Sequence, residues 1–490
     1  MTGESDRVDE ARTATRTVLR QLDERGPDGA PVDAHGRQQR WIASLPERLQ
    51  GWLGGRAVDE VECMVSDLAG ISRGKAMPAK KFAEIDSVFL PISIFYQTIT
   101  GAYAEFDSAT AFAETDVVMR PIMASARAVP WATDVTVQVI CDLEKQDGTP
   151  LGLAPRNVLK RVLGLYAAHG WQPVVAPELE FYLTKRNIDP DYPIEPTIGR
   201  TGRAGAARQA YSISAVDEYG KIVDDIYDFA EDQGLEIDTV MQENGSGQLE
   251  INLNHGDPLE LADQVFLFKR TIRETALRHD CYATFMAKPM EDQPGSAMHI
   301  HQSVWDIESG QNIFSQPDGS QSQAFLHFIG GQQRYLDAAM CILAPYVNSY
   351  RRLIPDNSAP INLEWGPDNR TTGLRVPVSP PTARRVEARV VGMDTNPYLA
   401  MAACLACGYL GMTQRIDARE PLVNAVGYNK PHALPRGLLE ALSLFNACDN
   451  LKQVLGEDFA SIYQRVKNHE MDEYLRVISP WEREHLMLNV

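Results

Sequence analysis

The sequence predicts an α+β protein: a small β-rich domain over residues 56–150, then a larger domain of helices and strands over 151–490, with an N-terminal extension over 1–55 ahead of both. Three observations lead there. A chain of 490 residues that is 44% hydrophobic and 23% charged has the composition of a globular protein with a sizeable core. Up to about residue 150 the apolar runs are short and separated by turn-rich connections. From Pro155 onward longer helical periods alternate with strands.

Residues 1–25 are polar and charge-rich, and the Gly26-Pro-Asp-Gly-Ala-Pro31 stretch breaks any helix. Between Arg37 and Gly54, Trp41, Ile42, Leu45, Leu49 and Leu53 recur at helical spacing. Val58 to Val65 and Val135 to Ile140 then read as strands. In the larger domain the pattern predicts a helix over Asn157 to His169, a strand over Pro173 to Tyr182, and a helix that Asp257 caps and Pro258 opens. Arg200 to Ala206 reads as a mobile loop, because no strand leads into its glycines. The uncharged run Thr395 to Gln414 has the length of a membrane span, but its Asn396-Pro397, Tyr398, glycines and many alanines suit a buried helix. Cys404 and Cys407 lie within it, with no second CxxC and no nearby His to complete a zinc site, and are expected to be packed thiols.

Charge and cysteine usage narrow the function classes. Lys plus Arg is 47 and Asp plus Glu is 66, a net charge of −19, the wrong sign for a phosphate-backbone binder. Nucleic acid is not an expected partner, nor is a membrane. Seven cysteines in 490 residues are too sparse for a disulfide scaffold, and acidic residues open the chain where a leader would be basic and apolar. The expectation is a cytoplasmic protein.

The chemistry sits in short polar motifs within apolar strands. Gly70 to Ala76 is one residue short of a P-loop and lacks its hydroxyl. Glu178-Leu-Glu180 places two carboxylates on one strand face. Glu243 and Glu250 flank a Gly-Ser-Gly step that can turn the chain and bring them together. His299-Ile-His301-Gln-Ser303 repeats the period-2 pattern, and Arg385, Glu387 and Arg389 share another strand face. An isolated ExE is more often a surface strand than a metal site, Arg-Glu-Arg alternation is usually an exposed ion-pair ladder, and HxH alone is evenly balanced. Combined with Arg351-Arg352, Asn369-Arg370 and Arg375, they give five carboxylates, two histidines and several arginines, as in a two-metal phosphoryl-transfer site.

These residues also carry a resemblance. Phe285 to Pro289, Gly295 to Ser303, Asn348 to Leu353, Asn369-Arg370, Arg385 to Arg389 and Asp394 to Leu399 are similar, in order and spacing over about 56–490, to the motifs of the glutamine synthetase superfamily. Gln248 to Asn252, Leu261 to Phe266 and Trp481 to Glu484 most resemble its glutamate–putrescine ligase branch. The resemblance implies a β-grasp N-terminal domain, a catalytic domain on a curved antiparallel sheet with surrounding helices, and a homododecamer of two stacked hexameric rings. It implies that Glu180, Glu243 and Glu250 hold a Mg2+ or Mn2+ ion on the acceptor side. A second ion, on the ATP side, would be held by Glu178, His299 and Glu387. His301, Ser303, Arg375 and Arg385 would bind ATP, Gly295, Arg352 and Arg389 would bind glutamate, and Arg370 with Arg352 would act in catalysis. The implied reaction has two steps: glutamate γ-carboxylate attacks ATP to give γ-glutamyl phosphate, and a primary amine, foremost putrescine, displaces phosphate.

The chain departs from the ammonia-using pattern at two carboxylates that would hold ammonium. Pro91 or Ile92 stands at the place of an Asp, and Ser358 at that of a mobile Glu, with Asp356 as the nearby substitute. A larger amine, held by its alkyl chain, is therefore expected in preference to ammonia. Another polyamine, ethanolamine, an alkyl or aromatic amine, or ammonia itself are the alternatives. Pro294 replaces an Asn before the glutamate-loop Gly295, and Thr382 a Lys that reaches nucleotide, with Arg384 the neighbouring cation able to replace it.

Overall fold

The computed structural model describes residues 40–85, 87–104, 114–205, 209–355 and 359–490. The polar N-terminal stretch, its Gly-Pro breaker, and the Asp356 and Ser358 positions lie outside them. The expected Arg37–Gly54 helix is divided: residues 40–43 are helical, and a second helix runs over Glu47–Leu53. Pro46 between them has no N–H with which to continue the first. Leu45, Leu49 and Leu53 are buried, so the apolar spacing marked the right face.

Six strands form the first sheet: β1 (Glu60–Ser66), β2 (Ser72–Pro78), β3 (Val88–Pro91), β4 (Asp116–Pro121), β5 (Arg127–Ala128) and β6 (Thr136–Glu144). Their order is β2-β1-β6-β4-β3, with β5 beside β6. β1 and β6 are parallel and every other pair is antiparallel, which is the mixed sheet expected of a β-grasp. The parallel pair is the apolar centre, where Val61, Val137 and Val139 are fully buried.

Nine strands form the second: β7 (Trp171–Lys185), β8 (Ile237–Gln242), β9 (Gln248–Leu253), β10 (Cys281–Thr284), β11 (Ile300–Asp306), β12 (Gln311–Asn312), β13 (Trp365–Pro367), β14 (Leu374–Val376) and β15 (Val386–Ala388). The order is β13-β14-β15-β11-β7-β9-β8, with β10 on β7 and β12 on β11. Only β13 and β14 are parallel. Helices Pro155–Ala167, Pro258–Arg278, Gln323–Leu343 and Pro397–Gln414 pack with it. Asp257 caps the second of these, its carboxylate accepting the N–H groups of Leu259 and Glu260.

The run Thr395 to Gln414 is the buried helix expected. Its backbone lies so close to the helix Gln323–Leu343 that a Cβ on Gly331 would strike Gly411 and the Cys407 carbonyl. Cys404 and Cys407 are completely buried there. Asn396 caps the helix through Oδ1 and uses its Nδ2 to donate to Ser66 Oγ (2.9 Å) and Asp67 O (2.8 Å), tying the helix to the end of β1. Among the described residues no helix is long and apolar enough to cross a membrane.

Candidate active site

Strand register assembles the site. Glu178 and Glu180 alternate along β7, so both point to one face, and Glu180 lies directly opposite Glu250 of β9. The Gly-Ser-Gly step turns the chain between β8 and β9 and carries Glu243 to the same end. On the other flank of β7 the Glu178 N–H donates to the His299 carbonyl (2.9 Å), and β11 continues with His301 opposite Glu387 of β15. Glu387 in turn faces Arg375 of β14. Four motifs far apart in sequence thus lie on adjacent strands of one sheet.

Several of the polar groups bond to one another, while Arg389 Nε and Asn252 Oδ1 are buried without a hydrogen-bond partner. Glu178 receives Nδ1 of His299 (3.0 Å) on one oxygen and Nε2 of His301 (2.9 Å) on the other. Arg385 Nε donates to Nδ1 of His301 (3.2 Å), which assigns the His301 proton to Nε2. Glu387, with a side chain 1% exposed, is clamped by Arg375 (2.7 Å) and by Arg389. It is therefore an interior ion pair and not a surface ladder.

Burial and neighbouring charge push these carboxyls in opposite directions. Burial alone would raise Glu178, but the two histidines hydrogen-bonded to it hold it far below the usual carboxylate range. Glu387 is likewise held down against burial by Arg389 and the histidines. Glu180 is pushed up to about 8 by burial and then by Glu243. Glu250 is pushed up to about 9 by burial and by Glu178, Glu180 and Glu243. His299 is lowered by burial and by Arg389, against the opposing pull of Glu178 and Glu387. Carboxyls crowded at this cost are the donor set of a hard divalent cation.

Two groups are compact enough to hold an ion, with ligand atoms all within 4.8 Å of one another: Glu178, Glu250 and His299, and Glu178, His301 and Glu387. Glu178 belongs to both. This grouping differs from the expected sets, in which Glu250 went with Glu180 and Glu243 and His301 went with ATP. Strand order is the reason, since Glu178 sits between β9 and β11 and reaches both flanks. His299 also lies 3.8 Å from both Glu180 and Glu387, so the expected sets remain neighbours.

Two cavities meet at this cluster, and both are lined by Glu178 and Asn252. The first, about 530 Å3, contains Glu178, Glu180, Glu243, Glu250, His299 and Glu387, together with Gly295, Arg352, Arg370, Arg375 and Arg389. The second, about 560 Å3, contains His301, Ser303 and Arg385. Every site residue expected from the sequence lines one or the other. Arg352 is buried, donates to Val390 O (2.7 Å), and packs so tightly on Gly295 that a Cβ there would strike its side chain. Pro294 lines the first cavity, and its carbonyl accepts the Tyr182 hydroxyl (2.8 Å).

Other lining residues were missed. Gln248 and Asn252 flank Glu250 at period 2, and Trp305 extends the 299-301-303 series, donating through Nε1 to Ser303 Oγ (3.1 Å). Alternation alone was a signal for all three. Tyr211 had none: its φ of 64° and its phenol 3.5 Å from Arg370 follow from a loop conformation. Pro91 and Ile92 line neither cavity, and Ile92 opens a short 3-10 helix after β3. Arg384 is not the replacement for Lys, because its guanidinium is tied to the carbonyls of Gly319 and Ser320.

Comparison with known proteins agrees with this geometry. Residues 152–486 match the family model for the glutamine synthetase catalytic domain. The chain is 34% identical over 437 residues to γ-glutamylputrescine synthetase PuuA of Escherichia coli K12, covering 88% of this chain and 92% of that protein. It is 30% identical to glutamate–isopropylamine ligase of a Pseudomonas species (87% and 94% covered) and 30% identical to glutamine synthetase of Methanosarcina mazei (87% and 94%). A solved GmaS/ADP complex superposes with a TM-score of 0.76 at 26% identity, over 90% of this chain and 99% of that one.

Proposed function

The chain belongs to the glutamine synthetase family of carboxylate–amine ligases, and we propose that it joins the γ-carboxylate of glutamate to putrescine at the expense of ATP. The observation that carries this reading is the meeting of two cavities at one acidic and histidine cluster, with arginines on both sides. The choice of amine rests on the similarity to γ-glutamylputrescine synthetase and on the absence of a carboxylate at positions 91 and 92.

The second cavity suits the nucleotide. It offers the Trp305 ring beside Val174 and Val175 for a base, and His301, Ser303 and Arg385 for phosphates. The first suits glutamate and the amine, with Arg352 and Arg389 facing carboxylates and Gly295 letting the backbone approach. Arg370 and Arg375 would meet the transferring phosphoryl group. Glu178, Glu180, Glu243, Glu250, His299 and Glu387 would hold two or more Mg2+ or Mn2+ ions, which would supply positive charge to the phosphates. A γ-carboxylate oxygen bonds to the ATP γ-phosphorus and ADP leaves. The amine nitrogen then bonds to the acyl carbon, phosphate leaves, and the nitrogen gives up a proton. Arg352 stays cationic despite its burial, at about 10, and so retains its hold on a carboxylate at neutral pH.

The protein is further proposed to work in the cytoplasm as a homododecamer of two stacked rings. The test of the reaction is phosphate release with ATP, Mg2+ and glutamate, run in parallel with putrescine, spermidine, ethanolamine, isopropylamine and ammonium. A higher kcat/KM for putrescine is expected. A higher value for ammonium or isopropylamine overturns the acceptor and leaves the ligase chemistry standing.

A further inference from the structure

A third cavity, about 610 Å3, shares no lining residue with the first two. It lies between the turn joining β1 to β2, the helix Pro258–Arg278, residues 283–286, and Tyr346, Asn348 and Asp394. Three cations of that helix line it. Arg270 is matched by Glu62, with Nη2 donating to Oε1 at 3.0 Å. The other two have no carboxylate contact among the described residues. Lys269 Nζ donates only to the carbonyls of Met393 (2.8 Å) and Thr395 (3.3 Å). Among the described residues Arg273 has neither a hydrogen bond nor an ion pair, and it lies 4.8 Å from the centroid of the Phe285 ring, with Lys269 Nζ 5.1 Å from the same centroid. Glu274 also lines the cavity and pairs with neither cation.

Two cations gathered on one aromatic ring repel each other. Burial and then the Arg273 charge hold Lys269 down at about 7, only partly offset by Asp394. Such a pair gains from an anion that bridges it. We propose that this cavity is a second ligand site, which takes a small dianion of the dicarboxylate or phosphate class on Arg273 and Lys269.

Asp394 connects that site to the first cavity. Its Oδ2 accepts the Ser349 hydroxyl (2.6 Å), its Oδ1 is buried without a hydrogen-bond partner, and the two cations acting on it are Lys269 and Arg352. An anion on Lys269 cancels that cation's pull, so Asp394 takes up a proton more readily and competes less for Arg352. Arg352 is then freer to hold an anionic substrate. Occupancy of the third cavity therefore lowers KM for glutamate by about fivefold or more, with kcat little changed.

Only this coupling rests on the function proposed above, and binding is tested without turnover. The full chain is titrated calorimetrically with succinate and with inorganic phosphate, alongside Arg273→Gln and Arg273→Lys. A binding event that Arg273→Gln weakens at least tenfold and Arg273→Lys largely retains is expected. Whichever probe shows it identifies the dicarboxylate or the phosphate as the ligand. Identical isotherms for the native chain and Arg273→Gln overturn the site. In activity assays, the anion-dependent fall in KM should vanish in Arg273→Gln. Its persistence there overturns the coupling, and a rise in KM instead places the anion in the active site and overturns it as well.

Discussion

Glu180 and Glu250 face each other across β7 and β9, and both carboxyls are raised, to about 8 and about 9. Over the range from about 4.5 to those values the folded chain holds protons that the unfolded chain has lost. Two consequences have definite sign. Without divalent cations, stability falls as pH rises from about 5 toward 9, and a bound cation must displace the protons. Mg2+ affinity is therefore expected to rise by up to about tenfold per pH unit for each proton displaced, between pH 7 and 9. Calorimetry in buffers of different ionisation enthalpy checks it, and a pH-independent affinity with no proton release contradicts it. A neighbouring residue offers a steric test. A Cβ on Gly295 would meet Arg352 Cγ and the Ala287 carbonyl. Gly295→Ala is expected to raise KM for glutamate at least about tenfold, a loss of about 1.4 kcal/mol, while KM for ATP stays within a factor of two.

Strands β7, β11 and β15 were legible because their chemistry alternates with apolar residues, and a side-chain period of 2 leaves little freedom about which face is which. Pairing was not legible. Nothing local in Glu178-Leu-Glu180 says that Glu180 faces Glu250 or that Glu178 lies between two histidines, because partner and register are set by the whole sheet. The Arg384 tether shows the same limit, since a guanidinium that could face nucleotide is committed to a neighbouring loop. Helix ends were better signalled. Asp257→Ala removes the acceptor of two N–H groups and should cost about 1 kcal/mol, read from the denaturation midpoint. In the helix Pro397–Gln414, burial pushes the Cys404 thiol up to about 12 and Cys407 well above its ordinary value. Both should resist a thiol reagent in the native protein and react only on unfolding, and rapid native labelling of either would contradict the packed-thiol reading.

For the whole molecule, a net charge of −19 attracts a doubly charged diamine more than a singly charged amine. Raising ionic strength should therefore lower kcat/KM for putrescine more than for isopropylamine. An equal response would show that long-range attraction plays no part. Glu178 has a wider consequence, because one carboxylate stands in both metal-sized groups and in both cavities. A wall that belongs to two rooms cannot be moved in one alone. Whatever fills one side resets the shape and charge that the other side offers, so ligands on the two sides are expected to bind as a linked pair, each able to change the affinity of the other by the same factor.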